Sequence, residues 1–228
     1  MSWFSVSPVE LDALRLSLWV ALVAVALSLP LAVAMAYVLA RCRFWGHGLL
    51  NALVHLPLVL PPVVTGYFLL VVFGRKGALG PVLEALGMQL AFTSAGAALA
   101  AAVMAFPLIV RAIRLALEAV DPRLEEAAGT LGASPIKVFA FVTLPLILPG
   151  LVAGAVVGFA KALGEFGATI TFVSNIPGET QTLASAIYAV LQVPGQEAAV
   201  GRMIVLSLLL SFGALLLSEI LARKMVRR

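Results

Sequence analysis

The feature that most constrains this chain is the spacing of its charges. Stretches free of Asp, Glu, Lys and Arg cover residues 16–40, 44–74, 85–110, 138–160 and 203–218, and the last reaches 222 if Glu219 lies at an interface. These runs hold 25, 31, 26, 23 and 16 residues. A helix that crosses the hydrocarbon of a bilayer needs about 20 apolar residues in succession. The spacing therefore predicts an all-α polytopic membrane protein with about five transmembrane helices, six being possible. Composition agrees, since 62% of the residues are hydrophobic and only 11% are charged. A soluble domain carries about 25% charged residues. An ordinary soluble enzyme and a disordered chain are both excluded, because neither accommodates so much apolar surface.

The few charges then set orientation. Arg41 and Arg43 follow the first span, Arg111, Arg114, Arg123 and Lys137 lie between the third and fourth, and Arg223, Lys224, Arg227 and Arg228 end the chain. With five spans these groups fall on one side, and they hold ten of the fifteen Lys and Arg residues. Short basic loops stay in the cytoplasm, which puts the N-terminus outside and the C-terminus inside. The net charge of +4 thus reflects topology and implies no nucleic acid partner. The N-terminal segment has no basic region of the kind that opens a cleaved signal. The lone Cys42 rules out an intrachain disulfide and reads as a small residue at a helix end. His47 and His55 are the only histidines, so no metal-ligand cluster is expected.

Two segments break the pattern. Pro57, Pro61 and Pro62 interrupt the second run; proline removes a backbone donor, so they predict a broken helix beside a solute or water path. Pro30 and Pro107 read as helix-shaping. The stretch 166–196 contains Asn175, Pro177, Gly178, Pro194 and Gly195 and predicts re-entrant or surface structure with a short helix near 182–191. Just before it, Lys161 and Glu165 are spaced for an i,i+4 ion pair near the outer end of the fourth span. Lys161 is also placed to attract an anion at an outer gate. Gly164 and Gly167 permit close backbone approach, and Thr169 offers a hydroxyl. With Pro57, Pro61 and Pro62, these five residues are the candidate pathway and gate positions.

The loop at about 119–137 is the most informative segment. Asp121 followed by Pro122 predicts a helix start, early Glu125 and Glu126 suit the helix dipole, and Gly132 predicts its end. Leu124, Ala127, Ala128 and Leu131 fall at i, i+3, i+4 and i+7, an apolar stripe on a helix about 16 Å long. Such a helix either docks into a partner groove or lies on the membrane or on its own bundle. Glu118 and Glu125 read as balancing the basic loop, and Glu126 as pairing with a basic group on a partner or capping locally.

Glu126-Ala127-Ala128, three residues, Gly132, nine residues and Val142-Thr143-Leu144-Pro145 resemble the EAA motif of ABC importer permeases, with Val142 where that pattern has Ile. The resemblance implies a type I importer permease fold, a single transmembrane domain over residues 1–228, and a coupling helix that seats on a cytoplasmic ATPase. Leu124, Glu126, Ala127, Ala128, Leu131 and Gly132 become the candidate coupling residues. It further implies a homodimer in the bacterial cytoplasmic (inner) membrane, two ATPase subunits that use ATP and Mg, and an extracytoplasmic binding protein. No cofactor is expected on this chain itself. It also lacks GxxxxGK[ST], so it is not itself the ATPase. Segments 55–67, 106–118 and 163–188 are similar to molybdate-type permeases of this family, and less to the sulfate and thiosulfate types, in which a GEYGS-like segment is expected where this chain has Gly164-Glu165-Phe166-Gly167-Ala168. Tungstate is not separated from molybdate on these residues. Two rival classes make distinct demands. An intramembrane enzyme needs a catalytic cluster, and a scaffold would keep its function after Glu126 and Gly132 are changed.

Overall fold

The structure, a computed structural model, describes residues 7–226. Arg227 and Arg228 of the basic tail, and the start of the N-terminal segment, lie outside the described residues. Regular structure among the described residues is helical: α1 (Pro8–Arg41), α2 (His47–Val59), α3 (Pro62–Phe73), α4 (Gly80–Ala85), α5 (Ser94–Ala119), α6 (Pro122–Thr130), α7 (Pro135–Val138), a π segment (Phe139–Thr143), α8 (Leu144–Leu163), α9 (Gly167–Val173), α10 (Leu183–Leu191) and α11 (Glu197–Val226). Four helical stretches are long and apolar enough to span: α1, α5, the continuous Pro135–Leu163 and α11. The pair α2 and α3, bent by 113° at its break, makes a fifth.

Local chemistry explains where the helices depart from the apolar runs. The first begins eight residues early because Ser7 and Glu10 form a reciprocal capping box, 2.7 and 3.3 Å. Its Glu10 is buried yet paired with Arg202 of α11 at 3.0 Å, which ties the two helix starts together. The third span is displaced along the chain from the expected 85–110 to Ser94–Ala119. Residues 85–93 instead close α4 and turn, with Gly87 and Phe92 at positive φ, and Thr93 caps the new helix by accepting from Gly96 N. At its other end α5 continues through charged residues, supported by the Arg114–Glu118 pair at 2.7 Å. The short helix expected near 182–191 is α10, and Ser17 of α1 accepts a bond from its first amide, Leu183 N, at 2.7 Å.

Helix α5 is the centre of the bundle. Ala97, Ala98, Ala100, Ala101 and Ala105 are buried, which lets α1 pack closely on one side and α8 on the other. The approach of α8 is set by glycine: a Cβ at Gly158 would lie 2.5 Å from Ile109 Cδ1, and one at Gly150 would collide with the Ala116 methyl. Small residues at such contacts replace the hydrophobic drive that lipid does not supply. Helix α9 wedges against α3 and α5, while α11 packs peripherally on α8 and α10.

Candidate functional site

The loop between α5 and α8 folds as its sequence suggests. Asp121 accepts from Arg123 N at 3.0 Å, Pro122 occupies the first helical position of α6, and Gly132 ends the turn at φ +87°. No atom comes within 4 Å of a Cβ placed on Gly132, so the left-handed backbone, and not crowding, calls for glycine there. None of the α6 residues is buried. Leu131 is 89% exposed and Leu124 49%. Glu126 and Ala127 also face outward, and Ala128 is half-buried. The apolar stripe therefore finds no partner in its own bundle.

What holds α6 is its neighbouring carboxylate, Glu125. Its Oε1 accepts from Thr143 Oγ1 at 2.7 Å and from Arg41 Nη2 at 3.3 Å. The same Arg41 nitrogen donates to Val120 O at 3.1 Å. Glu125 thus joins the end of α1, the end of α5 and the start of the α8 span. Thr143 lies in the π segment, which has a chemical cause. Pro145 has no amide hydrogen to complete the α-helical bond to Phe141 O, and the ladder shifts so that Leu144 N bonds Phe139 O. The two halves of the motif, 126–128 and 142–145, are therefore physically joined one residue away, through Glu125 and Thr143. Glu125 does more than balance the loop. The spacing hid this because the two residues are 18 apart and on different elements.

The pathway candidates divide between two places. Pro61 caps α3 at the bend, and Pro62 starts it. That helix lies against α9 so closely that a Cβ on Gly167 would be 2.7 Å from Pro62 Cβ, and one on Gly66 would be 2.5 Å from Ala168 O. Gly66 is a position that the sequence reading missed, although it follows the prolines in the same segment. Pro57 lies across the bend, lining an apolar hollow with Leu53, Val54 and Phe106. Lys161 and Glu165 form the expected pair at 2.8 Å. Glu165 is 2% exposed and its other oxygen accepts from Ala168 N at 2.9 Å, so it also holds the first turn of α9. Gly164 terminates α8, where a Cβ would meet only Ala160 O at an ordinary 3.7 Å, so no close backbone approach calls for glycine there. Thr169 is buried, and its hydroxyl donates to Phe166 O at 2.9 Å, a local helix bond that leaves it little to offer a solute. Thr65 Oγ1 in α3 and Asn175 Oδ1, two residues past α9, are buried without a partner.

The arrangement can transmit force and gate a path: an exposed helix is latched to two spans, and a broken span is pressed against a short inserted helix. Residues 14–227 match the family described as "Binding-protein-dependent transport system inner membrane component". The chain is 56% identical over 215 residues to the molybdenum transport system permease protein ModB of Escherichia coli (strain K12), covering 94% of each chain. Among solved structures it resembles an inward-facing MetNI methionine ABC transporter chain, with TM-score 0.70 and 18% identity over 95% of this chain and 94% of that one. It also resembles a chain of a bacterial alginate ABC transporter in complex with an alginate-bound periplasmic protein, with TM-score 0.75 and 16% identity over 96% of this chain and 80% of that one.

Proposed function

The chain belongs to the binding-protein-dependent transport system inner membrane component family, and on that premise we propose that it is the permease subunit of an ATP-driven importer of molybdate. The observation that carries the substrate is the 56% identity to a molybdenum permease across 94% of both chains. The chain does not hydrolyse ATP; a separate ATPase, using ATP and Mg, seats on α6 through Leu124, Glu126, Ala127, Ala128 and Leu131. Two copies of this chain enclose one pathway in a bacterial inner membrane, with two ATPase subunits on the cytoplasmic side. The N-terminus lies outside and the C-terminus inside, a reading supported by the basic residues of the short loops. An extracytoplasmic binding protein delivers the oxyanion.

The physical cycle follows from the latch. Closure of the ATPase dimer moves α6. Because Glu125 connects α6 to α1 and to the π segment of α8, that movement is passed to two spans at once. Switching between two packed arrangements then opens the path to one side or the other. Pro61, Pro62, Gly66 and Gly167 form the contact at which the broken span moves against α9. Lys161 near the outer end is held, and its charge balanced, by Glu165.

The reading is tested by labelled molybdate uptake into proteoliposomes holding this chain, its ATPase and the binding protein. Uptake should require ATP and resist excess sulfate. A preference for sulfate or thiosulfate would move the assignment to those relatives, and competition by tungstate measures how far the two tetrahedral dianions are distinguished.

A further inference from the structure

A cavity of about 290 Å³ lies between α2 and α5, lined by Asn51, His55, Arg111, Arg114, Leu115 and Glu118. One water needs only about 10–15 Å³ of such space, so there is room for several waters or a small ion. Its lining is unusual for a span. Arg114 is neutralised by Glu118 at 2.7 Å and also donates to Asn51 Oδ1 at 2.9 Å. That bond fixes the Asn51 amide and leaves its NH₂ group as a free donor. His55 Nδ1 lies 2.8 Å from Asn51 O; the carbonyl accepts, so this nitrogen carries a proton. Arg111 is exposed and makes no salt bridge or side-chain hydrogen bond among the described residues.

Arg111 lies eight residues before the end of α5, about 12 Å along the helix. Its neighbours Ile109, Val110 and Ile113 are fully buried in the apolar core. Arg111 is the first charge after the apolar run, at the cytoplasmic end of the span, and with no acidic partner among the described residues its guanidinium is available to an anion. The cavity supplies space, one uncompensated positive charge and a free amide donor. A guanidinium fork matches the paired oxygens of an oxyanion. The opposite wall is α2, where Asn51 lies about two and a half turns before the break at Leu60, and the same end of α5 leads into α6.

We infer that Arg111, with the Asn51 amide and Arg114, forms a site for a tetrahedral oxyanion at the inner end of the pathway, between the broken span and the central helix. Its occupant is the transported ion on its way out of the path, or the phosphate of an inner-leaflet lipid; the recognition chemistry is the same. The inference rests on the transport reading for the first source.

The test uses the permease–ATPase complex in nanodiscs without the binding protein. Equilibrium binding of labelled molybdate is compared for the unaltered chain, Arg111→Gln and Arg111→Lys, in discs of phosphatidylcholine alone and of phosphatidylcholine with phosphatidylglycerol. Native mass spectrometry of the same samples counts retained phosphatidylglycerol. Loss of a charge-assisted contact should weaken molybdate binding about tenfold or more in Arg111→Gln, with partial retention in Arg111→Lys. A drop in retained phosphatidylglycerol, with molybdate binding unchanged, supports the site with lipid phosphate as its occupant. Equal molybdate binding and equal lipid retention in Arg111→Gln and the unaltered chain overturn it. ATP-driven uptake by the unaltered complex with its binding protein is measured separately, so failure of the transport reading is distinguished from failure of the site.

Discussion

Replacing Glu125 by Ala removes the acceptor for two bonds, from Thr143 at 2.7 Å and from Arg41 at 3.3 Å. Each side chain of the Arg41–Glu125 pair is only 17% exposed. After the change Arg41 retains the Val120 carbonyl as a partner, while its Nε is already buried without one. Breaking a fully buried pair costs about 3–5 kcal/mol. With partial exposure the lower end applies, about 3 kcal/mol, or roughly a hundredfold shift between seated and loose α6. Glu125→Gln keeps neutral hydrogen bonds and should lose about 1–2 kcal/mol. Helix α6 is nine residues long and buries none of them, so little else holds it. Hydrogen exchange across 122–130 should accelerate in the order unaltered, Gln, Ala. In proteoliposomes the ATPase should still turn over, with molybdate moved per ATP falling in the same order. Unchanged exchange together with unchanged stoichiometry in Glu125→Ala would refute the latch.

Other changes separate neighbouring roles. Glu126→Lys alters a carboxylate that faces outward, so thermal stability of the permease should stay within about 0.5 kcal/mol while ATP-coupled uptake is lost; a normal uptake rate contradicts its place on the ATPase contact. Gly132→Ala puts a side chain at φ +87°, at a cost of about 1–2 kcal/mol, and should weaken ATPase binding in a pull-down titration, with Gly132→Pro more severe. Gly66→Ala drives a methyl to within 2.5 Å of Ala168 O and should cost about 1–3 kcal/mol, read as a lowered midpoint of thermal unfolding and slowed uptake. Glu165→Gln replaces the charged partner of Lys161 by a neutral one and weakens the cap on α9; uptake should fall while ATPase binding is unchanged.

The spans were legible because lipid imposes a simple rule on sequence: uncharged runs of sufficient length become helices. Their ends were not, because side chains decide them. The Ser7–Glu10 capping box lengthens α1, and Thr93 sets the start of α5 nine residues inside the apolar run. The bend at Pro61 and the short helix α10 followed from proline and glycine placement. Helix α6 was legible because capping is local: Asp121, Pro122 and Gly132 each act within one turn. The Glu125 latch was not, because its partners Arg41 and Thr143 come from distant segments and only tertiary packing brings them together. Gly66 was missed for a similar reason, since a glycine that admits another backbone looks in sequence like any other.

The measurement that tests the account most directly is ATP-dependent accumulation of labelled molybdate in proteoliposomes, with the ATPase and binding protein present, for the unaltered chain and Glu125→Ala side by side. The account predicts accumulation above the external concentration by the unaltered complex, and ATP hydrolysis with little accumulation by Glu125→Ala. Molybdate accumulation that proceeds equally well in both would contradict the claim that α6, latched through Glu125, carries the force of ATP hydrolysis into the membrane spans.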